Sequence, residues 1–151
     1  MATPDADRAF LDTNILLAAT DEARQQHEMA IAAINVWPAS GLVLYTSGQI
    51  MREYLAVATR PVKRNGLGMA RGDAIANVRA LRARLTLLAE DTKVSDRLIG
   101  LLEAVECSGK QIHDANVVAT MLVHGIDTVV TMNVDDFSRF GDHVRVADLG
   151  Q

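Results

Sequence analysis

Residues 112–132 read "IHDANVVATMLVHGIDTVVTM", and this stretch decides the fold class. Up to His124 the apolar residues recur at helical spacing, and Gly125 is a typical residue just past a helix C-terminus. The next residues, "IDTVVTM", are rich in valine and threonine and predict a short strand. A helix that leads directly into a buried strand is typical of a sheet built through crossover connections.

The same alternation extends along the whole chain. Strands are predicted at residues 8–12, 41–47, 85–89, 126–132 and 144–148, and helices at 24–37, 47–60, 70–84, 95–109 and 112–125, with a further helical segment after residue 12. Such a pattern predicts an α/β protein with a mainly parallel central sheet covered on both faces. Without repeats, low-complexity tracts or linkers, residues 1–151 are expected to form a single domain.

Composition excludes several classes of protein. No apolar stretch approaches the roughly 20 residues of a membrane span, and the first ten residues do not resemble a signal peptide, so we expect a cytoplasmic protein without membrane contact. The single cysteine, Cys107, excludes an internal disulfide and a CxxC zinc site.

Positive charge is concentrated in one segment. Residues 60–84 carry seven Arg and Lys against one Asp, a net charge of +6, whereas the whole chain has −4 and the remainder therefore −10. Such a segment could hold a polyanion near an acidic site. Taken alone, a solvated helix with arginines that favour helix formation explains it better.

Acidic residues stand at positions where a binding site is expected. Asp12 and the pair Asp135–Asp136 follow predicted strands, and ligands of parallel sheets bind beyond the carboxyl ends of the strands. Glu53 and Asp114 are aligned with the apolar stripes of their predicted helices, so their side chains are directed inward. Each acid alone has a structural explanation as a helix cap, a dipole partner or an ion pair.

Several such acids gathered together require a cation, because carboxylates that lose hydration repel one another. Oxygen ligands select a hard cation, Mg²⁺ or in its place Mn²⁺, and such a site suits phosphodiester hydrolysis. Two alternatives remain: a phosphatase with an aspartyl nucleophile, although Asn14 stands where that chemistry needs a second aspartate, and a catalytically silent metal-binding module.

Four sequence blocks, "FLDTNILL", "REYLAVATRP", "IHDANVVATML" and "TMNVDDF", occur in this order between residues 10 and 137. Together they resemble the signature blocks of the PIN-domain nucleases, and most of all the VapC-type toxins of bacterial type II toxin-antitoxin pairs. The resemblance implies a three-layer α/β/α sandwich and an endonuclease that cleaves RNA. A PIN nuclease of RNA processing that is not a toxin is the alternative within the family.

The resemblance also assigns residues and partners. It implies a catalytic Mg²⁺ or Mn²⁺ site formed by Asp12, Glu53, Asp114 and Asp136, supported by Thr13, Asn14, Thr131 and Asn133. The position directly before Phe137 favours Asp136 over Asp135 as the fourth ligand. Met132 replaces a residue that is basic or polar in many relatives. A homodimer and a small antitoxin partner are expected, and the basic helix gains a use as an RNA-binding surface through Arg79, Arg82 and Arg84.

Overall fold

The fold is a five-stranded parallel sheet between two groups of helices. It was analysed in a computed structural model that describes residues 3–150. The strands are β1 (Arg8–Leu11), β2 (Val43–Ser47), β3 (Thr86–Leu88), β4 (Thr128–Thr131) and β5 (Arg145–Asp148). They lie in the order β3-β2-β1-β4-β5, and every pairing in this sheet is parallel. The prediction of an α/β/α sandwich with a parallel sheet is confirmed.

Seven helices connect the strands: α1 (Thr13–Thr20), α2 (His27–Asn35), α3 (Gly48–Thr59), α4 (Arg71–Arg82), α5 (Thr92–Ala104), α6 (Gln111–Val123) and α7 (Val134–Phe137). Contacts join α1 with α2 and α3, and α3 with α4, while α5 packs mainly on α6. The chain reverses its direction across the sheet after β3. Because crossovers between parallel strands are generally right-handed, this reversal puts the two groups on opposite faces of the sheet. No helix within residues 3–150 is long and apolar enough to cross a membrane.

The strand order creates a switch point between β1 and β4. From β1 the chain moves outward to β2 and β3, and from β3 it returns past β1 to β4. At the carboxyl ends of β1 and β4 the connections therefore diverge to opposite faces and leave a crevice, which is where open α/β sheets bind ligands. Phe10, Leu11, Val129 and Val130 of these two strands are fully buried and hold the walls of the crevice in place.

The predicted strand positions agree with the structure, whereas some predicted helix details were wrong. Helix α5 ends at Ala104 and not near Gly109, because Val105 already has an extended backbone. The buried face of α4 is formed by Ala74 and Leu81, while the neighbouring Ile75 is 40% exposed.

Candidate active site

Asp12 lies in the crevice between β1 and β4. It directly follows β1 and is the N-cap of α1, where its Oδ1 accepts a hydrogen bond from the Thr13 backbone N–H at 2.8 Å. Its Oδ2 accepts a hydrogen bond from the Thr131 hydroxyl, also at 2.8 Å. Burial raises the pKa of Asp12 to about 6, the negative charges of Glu53 and Asp136 add to this effect, and the two hydrogen bonds oppose it.

Glu53 reaches the same crevice from α3. Its Oε2 accepts a hydrogen bond from the Thr13 hydroxyl at 2.6 Å, and its Oε1 accepts one from Gln49 Nε2 at 2.9 Å. Thr13 therefore contacts both acids, with its backbone N–H on Asp12 and its side chain on Glu53. These contacts fix the orientation of two carboxylates that are 41 positions apart in the sequence.

Asp114 lies in the first turn of α6, and its environment identifies the rest of the cluster. Burial and the negative charges of Asp136, Asp12 and Glu53 together raise its pKa to about 7, while Arg139 opposes the shift. The four predicted acids thus share one electrostatic environment, built from four separate segments of the chain. Such mutual repulsion between carboxylates is relieved when a cation binds among them.

Asp135 and Asp136 differ in their relation to this cluster. Both are exposed residues of α7, and both line a cleft of about 550 Å³ that also contains Asp148 at the end of β5. The charge of Asp136 raises the pKa of both Asp12 and Asp114, and Asp135 is not among the charges responsible for either shift. Asp136 is therefore the member of the pair that faces the other acids.

The other predicted supporting residues connect the two strands of the crevice. Asn14 Nδ2 donates a hydrogen bond to the Thr131 hydroxyl oxygen at 3.2 Å, and Asn14 Oδ1 accepts one from the Met132 N–H at 3.3 Å. Asn133 contributes its backbone N–H, which donates to the same Thr131 oxygen at 3.0 Å. These two contacts hold the Thr131 hydroxyl in position to donate to Asp12, its third hydrogen-bond partner.

The three predicted RNA-binding arginines lie outside this cluster. Arg79 and Arg82 are exposed in the last turns of α4, and within residues 3–150 the only ion pair joins Arg24 to Asp21. Arg84 lines a separate cavity of about 370 Å³ together with Ala19 and Thr20 at the end of α1. Because the eight residues of α1 follow its N-cap Asp12, Thr20 at this cavity lies about 12 Å along the helix from Asp12.

Sequence reasoning missed three polar residues at the site. Gln49 lies one helical turn before Glu53, and this i, i+4 spacing was the signal that could have identified it. Asn116 donates a hydrogen bond to Gln49, at 2.7 Å. Arg139 provides positive charge beside Asp114, and its Nε is buried without a hydrogen-bond partner. No sequence pattern marked the last two.

The donor chemistry of the cluster fits a hard divalent cation. The four acids offer carboxylate oxygens, which suit Mg²⁺ or Mn²⁺ better than zinc. Within the described part of the chain, no three His, Cys, Asp or Glu side chains already converge on one ion position. Mg²⁺ in proteins is typically held by few carboxylates and keeps several waters as ligands. Each hydrogen-bonded oxygen of Asp12 and Glu53 retains a second lone pair for such a ligand role.

Comparison with known proteins was made for both sequence and structure. Residues 9–142 match the PIN domain family, and no curated protein matches the chain in sequence. The fold is similar to a chain of VapBC2 from Rickettsia felis, with a TM-score of 0.69, 15% identity, and coverage of 93% of this chain and 98% of that chain. For VapBC-1 from nontypeable Haemophilus influenzae the corresponding values are 0.68, 18%, 95% and 99%.

A third similar structure is VapC20 from Mycobacterium tuberculosis, described as a toxin that cleaves the sarcin-ricin loop. Its TM-score is 0.55 at 20% identity, and the alignment covers 80% of this chain and 86% of VapC20. The match to the family extends over nearly the whole chain, and the three similar structures have the same fold. The resemblance found in the four sequence blocks is thus confirmed, and the chain belongs to the PIN domain family.

Proposed function

We propose that this protein is a Mg²⁺-dependent endoribonuclease and the toxin of a toxin-antitoxin pair, acting in the cytoplasm. One observation carries the proposal: the carboxylates of Asp12, Glu53, Asp114 and Asp136 gather at the switch point of the sheet, where the charges of their neighbours help to raise the pKa of Asp12 and of Asp114. Membership of the PIN domain family supports a nuclease. Similarity to chains of VapBC complexes supports the toxin assignment.

In this proposal the four acids hold Mg²⁺, or Mn²⁺ in its place. An ion held there would supply the chemistry that activates water and neutralises the charge that develops on the phosphate. Thr13 and Thr131 orient Glu53 and Asp12 through their hydroxyl groups, so that the carboxylates keep their positions when the substrate arrives. Arg139 supplies the positive charge that acts on Asp114 and forms no ion pair among residues 3–150, which leaves its guanidinium available to a phosphate.

The proposed partners are RNA, a cognate antitoxin and a second copy of the chain. The similar Rickettsia and Haemophilus structures are described as VapBC proteins, and VapC20 is described as cleaving the sarcin-ricin loop. An antitoxin that inhibits this chain is expected to cover the acidic crevice. The homodimer is tested by measuring the molar mass of the purified protein by light scattering.

The direct test is incubation of the purified protein with total RNA in Mg²⁺ or Mn²⁺, followed by mapping of the new 5′ ends. We expect discrete cuts that disappear with EDTA and return with excess Mg²⁺. Calorimetric binding of Mn²⁺ without cleavage of any cellular RNA would instead favour a catalytically silent metal-binding module. Cleavage that persists in EDTA contradicts the proposed mechanism.

Asp135 and Asp136 provide a matched pair of variants. Because Asp136 and not Asp135 interacts with Asp12 and Asp114, Asp136→Asn should lower Mn²⁺ affinity by about tenfold or more, and Asp135→Asn by much less. Isothermal titration calorimetry of both variants measures the difference. The reverse order of affinities would show that the fourth ligand is Asp135.

The exposed arginines make a separate prediction. If Arg79, Arg82 and Arg84 contact RNA phosphates, replacing all three by glutamine weakens RNA binding and lowers the slope of log affinity against log salt by about 2, at about 0.7 per contact for single-stranded RNA. Metal affinity should stay the same, since these side chains lie outside the acidic cluster. Loss of antitoxin binding with unchanged RNA affinity would assign this surface to the protein partner.

A further inference from the structure

We infer that Gln49 and Asn116 are positioning residues that fix the separation between Glu53 and Asp114. The inference rests on the proposed function, in which both acids hold the cation. It concerns two neutral side chains on different helices, one in the first turn of α3 and one in the first half of α6. Both side chains are neutral, and neither is one of the four acids. Their contribution is therefore geometric.

The carboxamide of Gln49 connects the two helices. Its Nε2 donates one hydrogen bond to Glu53 Oε1 at 2.9 Å and another to the carbonyl oxygen of His113 at 2.8 Å. His113 directly precedes Asp114, so a single NH₂ group holds the Glu53 carboxylate and the backbone beside the second acid. Both donors of the amide are used in this way. Gln49 is only 5% exposed, so water does not compete for these bonds.

Asn116 and Glu90 hold Gln49 itself in place. Asn116 Nδ2 donates to Gln49 Oε1 at 2.7 Å and to Glu90 Oε1 at 2.8 Å. The other oxygen of Glu90, Oε2, accepts a hydrogen bond from the Gln49 backbone N–H at 2.7 Å. The orientation of the Gln49 carboxamide is thereby set by α6 and by the segment between β3 and α5, so it cannot rotate independently of them.

A neutral donor suits this position better than a cation. A Lys or Arg bonded to Glu53 would neutralise the cluster and lower its affinity for a divalent ion. The amide of Gln49 orients the carboxylate and leaves its negative charge available. Partners of this kind, bonded to metal ligands, typically contribute 10- to 100-fold to metal affinity.

The test compares Mn²⁺ binding by Gln49→Met with that by Thr120→Val. Methionine has a similar length and no donor. Thr120→Val removes a buried hydroxyl bond to the backbone carbonyl oxygen of Asn116 within α6 and removes none of the hydrogen bonds of the Gln49 and Asn116 carboxamides. We expect Gln49→Met to bind Mn²⁺ about 10- to 100-fold more weakly and Thr120→Val to bind like the unmodified chain. Thermal unfolding of the metal-free proteins records the structural cost of each substitution.

A second variant keeps the inference testable if Gln49→Met does not fold. Asn116→Ala removes the donor to Gln49 Oε1 from a partly exposed position, and it should weaken Mn²⁺ binding several-fold. In the double variant the two losses should not add, because both act through the same carboxamide. If Gln49→Met folds and its Mn²⁺ affinity is unchanged, the positioning role is wrong while the proposed function stands. If Gln49→Met is unfolded, unchanged Mn²⁺ affinity of Asn116→Ala has the same meaning. Failure of the unmodified chain to bind Mn²⁺ overturns the proposed function and this role together.

Discussion

Replacing Asp114 by asparagine is expected to abolish RNA cleavage. The charges of all three other members of the cluster raise the pKa of Asp114, and in the proposed mechanism its loss removes a ligand of the cation. Metal stabilisation of a phosphoryl transition state is worth several kcal/mol, which corresponds to a loss of activity of about a thousandfold. The measurement is the initial rate of cleavage of an RNA that the unmodified protein cuts, at saturating Mg²⁺.

The same variant carries its own folding control. In the metal-free protein the folded pKa of Asp114, about 7, lies above the unfolded value of 3.8, so the folded state binds more protons between these pH values. The free energy of unfolding therefore decreases as pH rises through this range. Above about pH 7 this stability penalty is fully present. Asp114→Asn should remove that penalty and melt at a higher temperature than the unmodified protein at pH 8. An inactive variant that is also less stable would point to misfolding, and full activity would exclude the mechanism.

Metal affinity is expected to increase steeply with pH. Asp12 and Asp114 must both lose their protons to bind a cation, and their pKa values are raised to about 6 and about 7. At pH 5, competition from protons lowers the apparent Mn²⁺ affinity about tenfold through Asp12 and about 100-fold through Asp114. Mn²⁺ should therefore bind on the order of a thousandfold more weakly than at pH 8. Above pH 8 the affinity should be nearly constant. Calorimetric titrations from pH 5 to pH 8.5 measure this dependence.

Proton release provides the control for this prediction. Calorimetry in buffers of different ionisation enthalpy should detect more than one proton released per Mn²⁺ at pH 5.5, and close to none at pH 8.5. Asp136→Asn removes one of the charges that raise the pKa of Asp12 and Asp114. In this variant the increase of Mn²⁺ affinity with pH should therefore shift to lower pH. Affinity that does not change between pH 5 and pH 8 would show that these acids are not the ligands.

Much of the fold could be predicted because its signals are local. The change from helical to strand periodicity at Gly125 is visible in the sequence, and the left-handed backbone of this glycine, with φ of 70°, ends α6 as expected. Strand order leaves no such mark. That β4 lies beside β1, with Leu11 opposite Val130, depends on long-range packing of the two helix layers.

The candidate site likewise contains some residues that the sequence indicated and others that it did not. Asp12 and Asp136 were visible because they follow strands, and Glu53 and Asp114 because a charge on an apolar stripe is unusual. Gln49, Asn116 and Arg139 were missed because amides and arginines are common on helix surfaces. Their roles depend on contacts across the fold, such as the bond from Asn116 to Gln49, which are 67 positions apart.

The position of β4 has a consequence for when the protein can become active. Asp12 receives its Thr131 hydrogen bond from the fourth strand, and Asp136 follows that strand. During synthesis the first acid leaves the ribosome more than a hundred residues before the last one. A nascent chain that has not yet reached β4 has only one neighbour for β1 and lacks Asp136, so it cannot assemble the crevice. The cell is therefore exposed to the assembled site only after translation has passed β4 and Asp136.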